Sequence, residues 1–385
     1  MPVVLSVFGT RPEAVKMAPL VKALSARDDL VAMVAVTAQH RQMLDQVLDL
    51  FRIKPDYDLD LMRPGQHLED LTGRVLSHLV PVLEDCSPDL VLVQGDTTTA
   101  FAAALGAFYR KVPVGHVEAG LRTYDIYNPF PEEMNRRLIT QLATLHFAPT
   151  PTAAAACRQG GVAQECIYLT GNTVIDALLD VAARSTADRG GGDRGRTILV
   201  TAHRRENWGE PMEQIFLAVR DLVDARADLR AVIPVHLNPV VQQLAQRLLG
   251  DHPRVDLIKP LDYEPFVRAM QEAQLILTDS GGVQEEAPSL GKPVLVLRTT
   301  TERPEAVEAG TVRLVGVRRE DILAEALRLL DDPAAYERMA NAVNPYGDGR
   351  ASERIVEAIR HHLGLRPDRP LEAFAPPSRQ HAPSG

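Results

Sequence analysis

Three acidic residues stand at positions where a parallel sheet would gather them. Asp96 directly follows an apolar run over Leu90–Gln94, and Glu118 closes another run over Pro113–Val117. Because parallel strands present their carboxyl ends at one edge of a sheet, these two acids are predicted to converge. Glu132 lies in a loop that enters a helix, where an acid serves the helix dipole equally well. Carboxylates held close together raise one another's pKa, so one can be protonated while another is ionised, as proton removal and return require.

A second group of residues has the features of a phosphate-binding turn. Ser280, Gly281 and Gly282 follow an apolar run and precede a predicted helix. Paired glycines let backbone N–H groups approach a phosphate, and a helix start adds partial positive charge; a plain turn is the alternative. Glu285 and Glu286 are predicted to lie in the first turn of that helix. A carboxylate there, Glu286 above all, either accepts hydrogen bonds from ribose hydroxyls or complements the helix dipole.

Four cations are placed to bind a diphosphate. Arg11 follows a strand-end glycine, Lys16 lies one helical turn further on, and His203 follows another predicted strand. Arg303 lies in a loop after the last predicted strand. Arginine offers a bidentate fork and lysine a point charge. A single arginine is as a rule a solvated surface residue, but the position of Arg11 just after the strand-end Gly9 and Thr10 favours a ligand.

The elements that carry these residues alternate between short apolar runs and longer amphipathic stretches. Apolar runs without alternation predict strands buried on both faces, and therefore a parallel sheet. Two such series predict an α/β fold of two Rossmann-like, doubly wound lobes with the active site in the cleft between them. The predicted strands are Val3–Phe8, Val31–Thr37, Leu90–Gln94, Pro113–Val117, Leu145–Ala148, Ile198–Thr201, Ala231–Val235, Val255–Ile258, Leu275–Leu277 and Val294–Leu297.

The domain boundaries follow from these two series. The first lobe is predicted to span residues 1–170 and the second residues 171–350. The tail over residues 366–385 is rich in Pro, Ala and Ser, a composition that cannot bury enough apolar surface to fold. We therefore predict that this tail is disordered.

Composition excludes several classes of protein. The 385-residue chain has a formal net charge of −9, which gives no electrostatic basis for binding nucleic acid. No apolar run approaches the roughly 20 residues of a membrane span, and the short apolar start lacks the features of a signal peptide. We therefore expect a soluble, cytoplasmic protein without a membrane partner. The three cysteines lack metal-ligand spacing, and no dinucleotide-binding glycine motif follows the first strand, so no metal or other cofactor is expected.

Seven segments of the chain together match a known family. They are GTRPE at 9–13, QGDT at 94–97, HVEAGLR at 116–122, PFPEEMNR at 129–136, HRREN at 203–207, DSGGVQEEAP at 279–288 and TERPE at 301–305. Through these segments the chain strongly resembles the non-hydrolysing UDP-N-acetylglucosamine 2-epimerases, from about residue 3 to residue 363. The resemblance implies a glycosyltransferase-B-like fold and a homodimer. It also implies that the C-terminal helix, residues 351–363 here, returns to pack on the first lobe.

The resemblance implies a reversible inversion at C2 of UDP-GlcNAc, giving UDP-ManNAc for surface polysaccharide synthesis. The family is thought to eliminate UDP, form a 2-acetamidoglucal and add UDP back. By resemblance Asp96, Glu118 and Glu132 are the catalytic acids and bases, with the assignment among them open, and His203 stabilises the leaving phosphate. The residues that would bind the UDP-sugar are Arg11, Lys16, Asp96, Glu118, His203, Phe266, Ser280, Gly281, Gly282, Glu286 and Arg303.

Bacterial members of this family also bind a second UDP-GlcNAc as an activator beside the active site. The positions that match here are Gln39, His40, Gln42, Arg204 and His236. Gly65 stands where some members carry an arginine, and Arg63 lies nearby in this chain.

Three other functions remain open from the sequence. A hydrolysing epimerase would use similar residues but let water capture the intermediate, releasing free ManNAc. A glycosyltransferase of the same fold would need an acceptor groove, often with hydrophobic or basic membrane-facing helices, which the sequence does not indicate. A non-enzymatic sensor of UDP-sugars would have no need of three carboxylates at strand ends.

Overall fold

The structure, a computed structural model, describes residues 1–38, 41–61, 63, 65–185, 196–366 and 373–376. The chain divides into two compact units, one from Met1–Ala177 with Tyr346–Ala375 and one from Leu178–Pro345. Each unit contains its own parallel sheet, and helices connect the strands. The predicted α/β class with two doubly wound sheets is confirmed. No helix in the described ranges is long and apolar enough to cross a membrane.

The first unit contains a seven-stranded sheet. Its strands are β1 (Val3–Phe8), β2 (Val31–Val36), β3 (Tyr57–Asp58), β4 (Leu90–Gln94), β5 (Val114–Val117), β6 (Leu145–Ala148) and β7 (Ile167–Leu169). The helices are α1 (Arg11–Ser25), α2 (Arg41–Phe51), α3 (Leu68–Cys86), α4 (Thr98–Tyr109), α5 (Glu132–Leu142), α6 (Pro151–Gln159) and α7 (Thr173–Ser185). The strand order β3-β2-β1-β4-β5-β6-β7 reverses between β1 and β4. Ligands of open parallel sheets bind outside the carboxyl ends of the strands at such a reversal.

The second unit contains a six-stranded sheet with the same kind of reversal. Its strands are β8 (Arg196–Thr201), β9 (Leu229–Pro234), β10 (Val255–Ile258), β11 (Leu275–Thr278), β12 (Val294–Val296) and β13 (Val312–Leu314). The helices are α8 (Glu210–Ala225), α9 (Pro239–Leu249), α10 (Tyr263–Glu272), α11 (Gly281–Glu286), α12 (Pro304–Glu308), α13 (Arg319–Asp331) and α14 (Pro333–Ala340). The order β10-β9-β8-β11-β12-β13 places the reversal between β8 and β11.

Both sheets are buried on both faces at their centres. In β1, Leu5 and Val7 lie on one face of the sheet and Val4 and Phe8 on the other. All four are fully buried, so both faces of the sheet are covered. This burial explains why the central strands read as continuous apolar runs rather than as alternating ones.

The division between the units falls inside α7, after Ala177, and not at the predicted position between residues 170 and 171. The last helix, α15 (Ala351–His362), belongs to the first unit. The buried Asp176 carboxylate accepts the N–H groups of Ala351 at 3.2 Å and Ser352 at 2.7 Å. The first turn of α7 therefore holds the start of α15, which keeps that turn with the first unit.

The C-terminal tail was predicted to be disordered from residue 366, and the structure describes residues 366 and 373–376 of it. Phe374 is buried, its N–H donates to the Leu169 carbonyl at 2.9 Å, and the Arg354 guanidinium lies 5.6 Å from the centre of its ring. The Phe374 side chain supplies the apolar surface that this segment buries. Residues 367–372 and 377–385 lie outside the described part of the chain.

Candidate active site

The loop between β1 and α1 is fixed by a buried carboxylate. Glu13 accepts the N–H groups of Gly9 at 3.1 Å and Thr10 at 2.7 Å, and the Thr97 hydroxyl at 2.7 Å. Burial raises the pKa of Glu13, and these donors partly offset the rise. Thr97 caps α4 just after β4, so Glu13 joins the carboxyl ends of the two strands at the reversal. Arg11 is half-buried at the start of α1 and has no hydrogen-bond or ion-pair partner among the described residues.

Glu118 lies directly after β5 with its carboxylate almost fully buried. Its Oε1 and Oε2 lie 2.6 and 2.7 Å from the Lys16 ammonium nitrogen. Gln94, at the end of β4, donates to Oε2, and Asn172 donates to Oε1 at 3.0 Å. The backbone of Glu118 is left-handed with φ +64°, a conformation that is uncommon for non-glycine residues. Lys16 and Glu118, predicted separately, therefore form one ion pair.

Asp96 is held by a residue that the sequence analysis gave no role. The Arg136 guanidinium donates from Nε at 2.8 Å to Asp96 Oδ2, which also lies 2.6 Å from Nη2. The neighbouring Asn135 side chain donates to the Asp96 carbonyl at 2.9 Å. Two adjacent side chains of α5 thus fix both the backbone and the carboxylate of Asp96.

Glu132 and Glu133 are sequence neighbours at the start of α5 with different environments. Glu132 Oε2 is buried and has no hydrogen-bond partner within the described residues. Glu133 is fully buried and accepts the N–H of Thr123 at 2.9 Å and the Arg137 guanidinium at 3.0 Å. Burial alone would raise the pKa of Glu133, but these donors and the charge of Arg136 outweigh it and hold that pKa below its usual value. Glu133 is held on both carboxylate oxygens, whereas Glu132 has one oxygen without a partner among the described residues.

His116 is a buried residue of β5 that the analysis of candidate residues did not single out. Its Nε2 lies 2.7 Å from the carbonyl oxygen of Gly95, and burial lowers its pKa to about 3. The ring is therefore neutral at physiological pH, and Nε2–H donates to that carbonyl. Gly95 has φ +68°, and His116 holds this turn immediately before Asp96.

In the second unit, a buried aspartate orients His203. Asp279 follows β11, and its Oδ1 lies 3.1 Å from His203 Nδ1. Its Oδ2 accepts the N–H groups of His203 and Arg204, each at 2.9 Å, and the Asn207 amide at 3.0 Å. Burial acts to raise the pKa of Asp279, yet these donors hold it below its usual value. Oδ1 therefore contacts the imidazole as a nearby charge without forming a hydrogen bond, and Oδ2 fixes the backbone that carries the ring.

The glycine pair lies at the reversal of the second sheet, but the helix after it begins earlier than predicted. Ser280 is the residue before α11, so Gly281 and Gly282 are its first residues. Glu285 and Glu286 therefore lie in the last turn of α11 and not in its first. The helix is short because Pro288 cannot donate the N–H that would bond Gln284, and a 3₁₀ turn follows. The Tyr263 hydroxyl donates to Glu286 Oε2 at 2.9 Å.

A chain of ion pairs links the loops that follow β8 and β12. Arg298 is almost fully buried and donates to Glu206 at 2.6 Å and to Glu302 at 2.6 and 3.1 Å. Arg204 also donates to Glu302, at 3.1 Å. Arg303 donates to Glu285 on α11. The loops carrying His203 and Arg303 are thus cross-linked to each other and to the helix after the glycine pair.

The remaining predicted residues have varied environments. Phe266 is half-buried on α10, so it is not a core aromatic. His236 is exposed, and its ring centre lies 6.0 Å from that of His203. Gln42 is exposed on α2, whereas Gln39 and His40 lie outside the described residues. Gly65 has φ +68°.

A family model described as UDP-N-acetylglucosamine 2-epimerase matches residues 22–360 of the chain. The chain belongs to the UDP-N-acetylglucosamine 2-epimerase family. The resemblance inferred from the seven segments is confirmed.

Relatives and solved structures agree with this family. The chain is 54% identical to the UDP-N-acetylglucosamine 2-epimerase of Bacillus subtilis, over 95% of this chain and 97% of the relative. It is 54% identical to that of Escherichia coli K12, over 93% and 98%. A crystal structure of the Neisseria meningitidis UDP-GlcNAc 2-epimerase bound to UDP-GlcNAc is 51% identical, with a TM-score of 0.84 over 93% of this chain and 99% of that one.

Within this member of the epimerase family, the sequence analysis missed the residues that hold the predicted ones. Arg136 had a detectable signal, because it lies four residues after Glu132 and therefore on the same helix face. Asp279 also had one, since it directly follows a strand. Gln94, Asn172 and Tyr263 are neutral residues without a distinctive spacing, and only the folded chain brings them to the carboxylates. Among the described residues, no group of three or more His, Cys, Asp or Glu could hold a metal ion.

Proposed function

We propose that this chain interconverts UDP-GlcNAc and UDP-ManNAc by inverting C2. The observation that carries the proposal is the pair of acids at the carboxyl ends of two neighbouring strands in the first sheet. Asp96 and Glu118 follow the neighbouring strands β4 and β5, and each is held by a cationic partner. Glu132 adds a third carboxylate with an unpartnered oxygen among the described residues. The identity of the substrate is proposed from relatives that are UDP-N-acetylglucosamine 2-epimerases and from a solved structure with UDP-GlcNAc bound.

The chemistry of the substrate explains why several carboxylates are needed. The C2 hydrogen is not next to a carbonyl, so removing it as a proton requires a leaving group at C1. A base takes the C2 proton, a double bond forms between C1 and C2, and the C1–O bond breaks with its electron pair on UDP. Re-addition of UDP at C1 with a proton delivered to the other face of C2 gives the epimer. A base and an acid on opposite faces of the sugar perform these steps.

Cationic and polar residues would hold UDP while it is detached. In the first unit Lys16 supplies positive charge at the Glu118 carboxylate, and Arg11 at the start of α1 would add a second cation. In the second unit His203, whose Nδ1 lies 3.1 Å from Asp279 Oδ1, would stabilise the leaving phosphate. Arg303 would add a second cation. The remaining binding residues would be Phe266, Ser280, Gly281, Gly282 and Glu286.

Two details of the second unit favour nucleotide binding there. A β-carbon on Gly281 would meet Arg204 Nη2 at 3.7 Å, and one on Gly282 would meet Glu286 Oε1 at 3.5 Å. Both are ordinary contacts, so packing within the protein does not require glycine at either position, and close approach of a ligand does. Tyr263 holds one oxygen of Glu286, which orients this carboxylate to accept hydrogen bonds from ribose hydroxyls.

The experiment that tests this function uses the full chain, UDP-GlcNAc and D₂O, with the products followed by NMR. We expect both UDP-sugars to appear with deuterium at C2, and Glu118→Gln to abolish the exchange. Epimerisation without deuterium at C2 would contradict the elimination mechanism. Accumulation of free ManNAc would favour the hydrolysing class, and transfer of GlcNAc to an added acceptor would favour a glycosyltransferase.

We further propose that the active form is a homodimer. Support comes from exposed apolar side chains on the first unit, where α4 packs against α5. Exposed aromatic side chains are enriched in protein interfaces. The side chains concerned are Phe108, Tyr109, Tyr124, Tyr127, Phe130, Met134 and Leu138.

A second UDP-GlcNAc is proposed as an activator that contacts Arg204 and His236. Arg204 pairs with Glu302, and the His236 ring stacks on His203 at 6.0 Å. A ligand that displaces either side chain would therefore alter the surroundings of the proposed phosphate-stabilising histidine. Gln42 and the undescribed Gln39 and His40 complete the proposed set.

A further inference from the structure

Asn172 is a buried amide at the point where the chain leaves the first unit. Its backbone N–H donates to the Tyr346 carbonyl at 2.7 Å, which lies where the chain returns. Its Oδ1 accepts the Val174 N–H at 3.1 Å, in the manner of a helix N-cap for α7. Its Nδ2 donates to Glu118 Oε1 at 3.0 Å. The backbone N–H, Oδ1 and Nδ2 of Asn172 thus each have a partner, and the bonds of the first two to the backbone fix the direction in which Nδ2 donates.

The two chain segments around Asn172 run against each other without room for side chains. A β-carbon on Gly171, which has φ +84°, would lie 3.3 Å from the Cα of Gly347. A β-carbon on Gly347 would lie 3.0 Å from Ile175 Cγ1. Arg354 secures the same place by donating to the Thr170 carbonyl at 3.1 Å. These contacts hold the Asn172 amide rigidly.

The other donors to Glu118 differ from Asn172 in kind. Lys16 is a charged, flexible side chain that is 20% exposed and has also been proposed to bind the substrate diphosphate. Gln94 extends from the end of β4 to Oε2. Asn172 donates to Oε1 from a position set by the segments that connect the units. A carboxylate oxygen that accepts a fixed N–H bond is held in orientation and is favoured in its ionised form.

We propose that Asn172 is a positioning residue for the reaction: its amide holds the plane of the Glu118 carboxylate against the sugar and keeps that carboxylate ionised before proton transfer. Among the described residues, Lys16 from α1 contacts the Glu118 carboxylate, and the neutral, buried His116 from its own strand interacts with it electrostatically. Asn172 carries no charge, so its contribution is directional. This inference rests on the proposed function, because it takes Glu118 to be one of the carboxylates that exchange the proton.

Two substitutions at position 172 separate the bond to Glu118 from the cap of α7. Serine and aspartate both cap helices well, so each can still accept the Val174 N–H. Serine is too short to reach Glu118, and aspartate replaces the donor by a second carboxylate oxygen. Asn172→Ser therefore removes the hydrogen bond to Glu118, and Asn172→Asp replaces this attraction by repulsion between two carboxylates. The matched control is Asn238→Ser, because the Asn238 side chain caps α9 by accepting the Val240 N–H at 2.9 Å.

We expect Asn172→Ser to lower kcat about tenfold with KM for UDP-GlcNAc changed less than about twofold, because substrate binding is not removed. Asn172→Asp should lower kcat by about a hundredfold or more and move the acidic limb of the pH profile to higher pH, because a second carboxylate favours a protonated Glu118. Asn238→Ser should leave kcat, KM and the profile unchanged.

Wild-type kcat and an unmoved pH profile in both Asn172 variants would overturn the proposal. So would losses in Asn172→Ser that come with a matching fall in Tm and a rise in KM, since these indicate a structural role only. A separate readout distinguishes failure of the proposed function. If the wild-type chain does not epimerise UDP-GlcNAc, the Glu118 carboxyl ¹³C resonance, assigned with Glu118→Gln, is titrated in each variant. A displaced titration in Asn172→Asp supports the Asn172–Glu118 coupling, and an identical one refutes it.

Discussion

Asp96 and Arg136 form a fork in which one carboxylate oxygen, Oδ2, lies 2.8 Å from Nε and 2.6 Å from Nη2 of the guanidinium. Arg136 is itself held from behind, because its Nη1 donates to the buried Glu133 at 3.3 Å. Glu133 thus orients Arg136, and Arg136 in turn orients the Asp96 carboxylate. The arrangement makes Arg136 more than a counter-ion, since lysine could supply the charge but not the fork.

We predict that Arg136→Lys lowers kcat/KM by about 10- to 100-fold, because a shift of about 1 Å in a reacting group has an effect of this size. Steady-state kinetics of both directions of epimerisation measure it. Arg137→Lys is the matched control, since Arg137 donates to the same Glu133 at 3.0 Å but lies outside the contacts of Asp96. Equal losses in the two variants would show that the fork is not what matters.

Glu132→Gln and Glu133→Gln should impair different properties, the first turnover and the second stability, although the two residues are adjacent. Glu132→Gln is expected to lower kcat by about a hundredfold or more with UDP affinity retained, because an amide cannot take up or deliver the proton. Glu133→Gln should instead lower the free energy of unfolding by about 3 kcal/mol, because it breaks a buried ion-pair network. Calorimetric UDP binding, turnover and denaturant unfolding distinguish the two. Asp96→Asn is expected to behave like Glu132→Gln, and full turnover in both would remove them from the catalytic residues.

The Glu302–Arg298 pair should stabilise the protein across the neutral range. Burial acts to raise the pKa of Glu302. The hydrogen bonds from Arg298 and the charges of Arg298 and Arg204 outweigh burial and lower this pKa from 4.5 to about 2. A depressed carboxylate pKa gives stability that is present above the unfolded value and is lost as pH falls through the folded value. The difference in unfolding free energy between wild type and Glu302→Gln should therefore be constant above pH 5. It should shrink steadily as pH falls from about 4.5 toward 2, and a constant difference over that interval would contradict the pairing.

The homodimer can be tested at the exposed face of α5. Leu138 is 39% exposed, and Leu138→Asp should convert the dimer to a monomer because it buries an unpaired charge in an apolar interface. Light scattering coupled to size exclusion measures the mass. Thr152→Asp, at the exposed start of α6, is the control and should leave the mass unchanged. A wild-type monomer at micromolar concentration would refute the proposal directly.

The sequence predicted the central strands well because burial on both faces leaves continuous apolar runs. It did not predict β3, β7 and β13, which have two or three residues each and lie at sheet edges. Such strands are too short to show a pattern, and their existence depends on the neighbouring strand. The ion pair of Lys16 with Glu118 was equally invisible, because the two residues are far apart in sequence and meet only when β5 pairs beside β4.

The helix after the glycine pair shows a different limit. The acids at 285 and 286 resemble a first helical turn, so the pattern placed the start of α11 too late. In the structure the helix begins at Gly281, despite the low helix propensity of glycine. Local propensity is overridden here by the turn after β11, where Ser280 N–H bonds to the Thr278 hydroxyl at 3.0 Å. The resemblance to the epimerase family identified the residues correctly as a segment, but it did not supply their secondary structure.

The first unit is completed only by residues from the end of the chain. Helix α15 joins it through Asp176, through Arg27 with Glu357 at 3.1 Å and through Arg360 with Asp29 at 2.7 Å. During translation the ribosome therefore finishes the whole second unit before it delivers the last helix of the first. The usual order, in which an N-terminal domain folds first, is reversed for the final step of this protein. A ribosome stalled near residue 345 would expose the α1 surface that α15 covers, which makes that surface a natural target for chaperones.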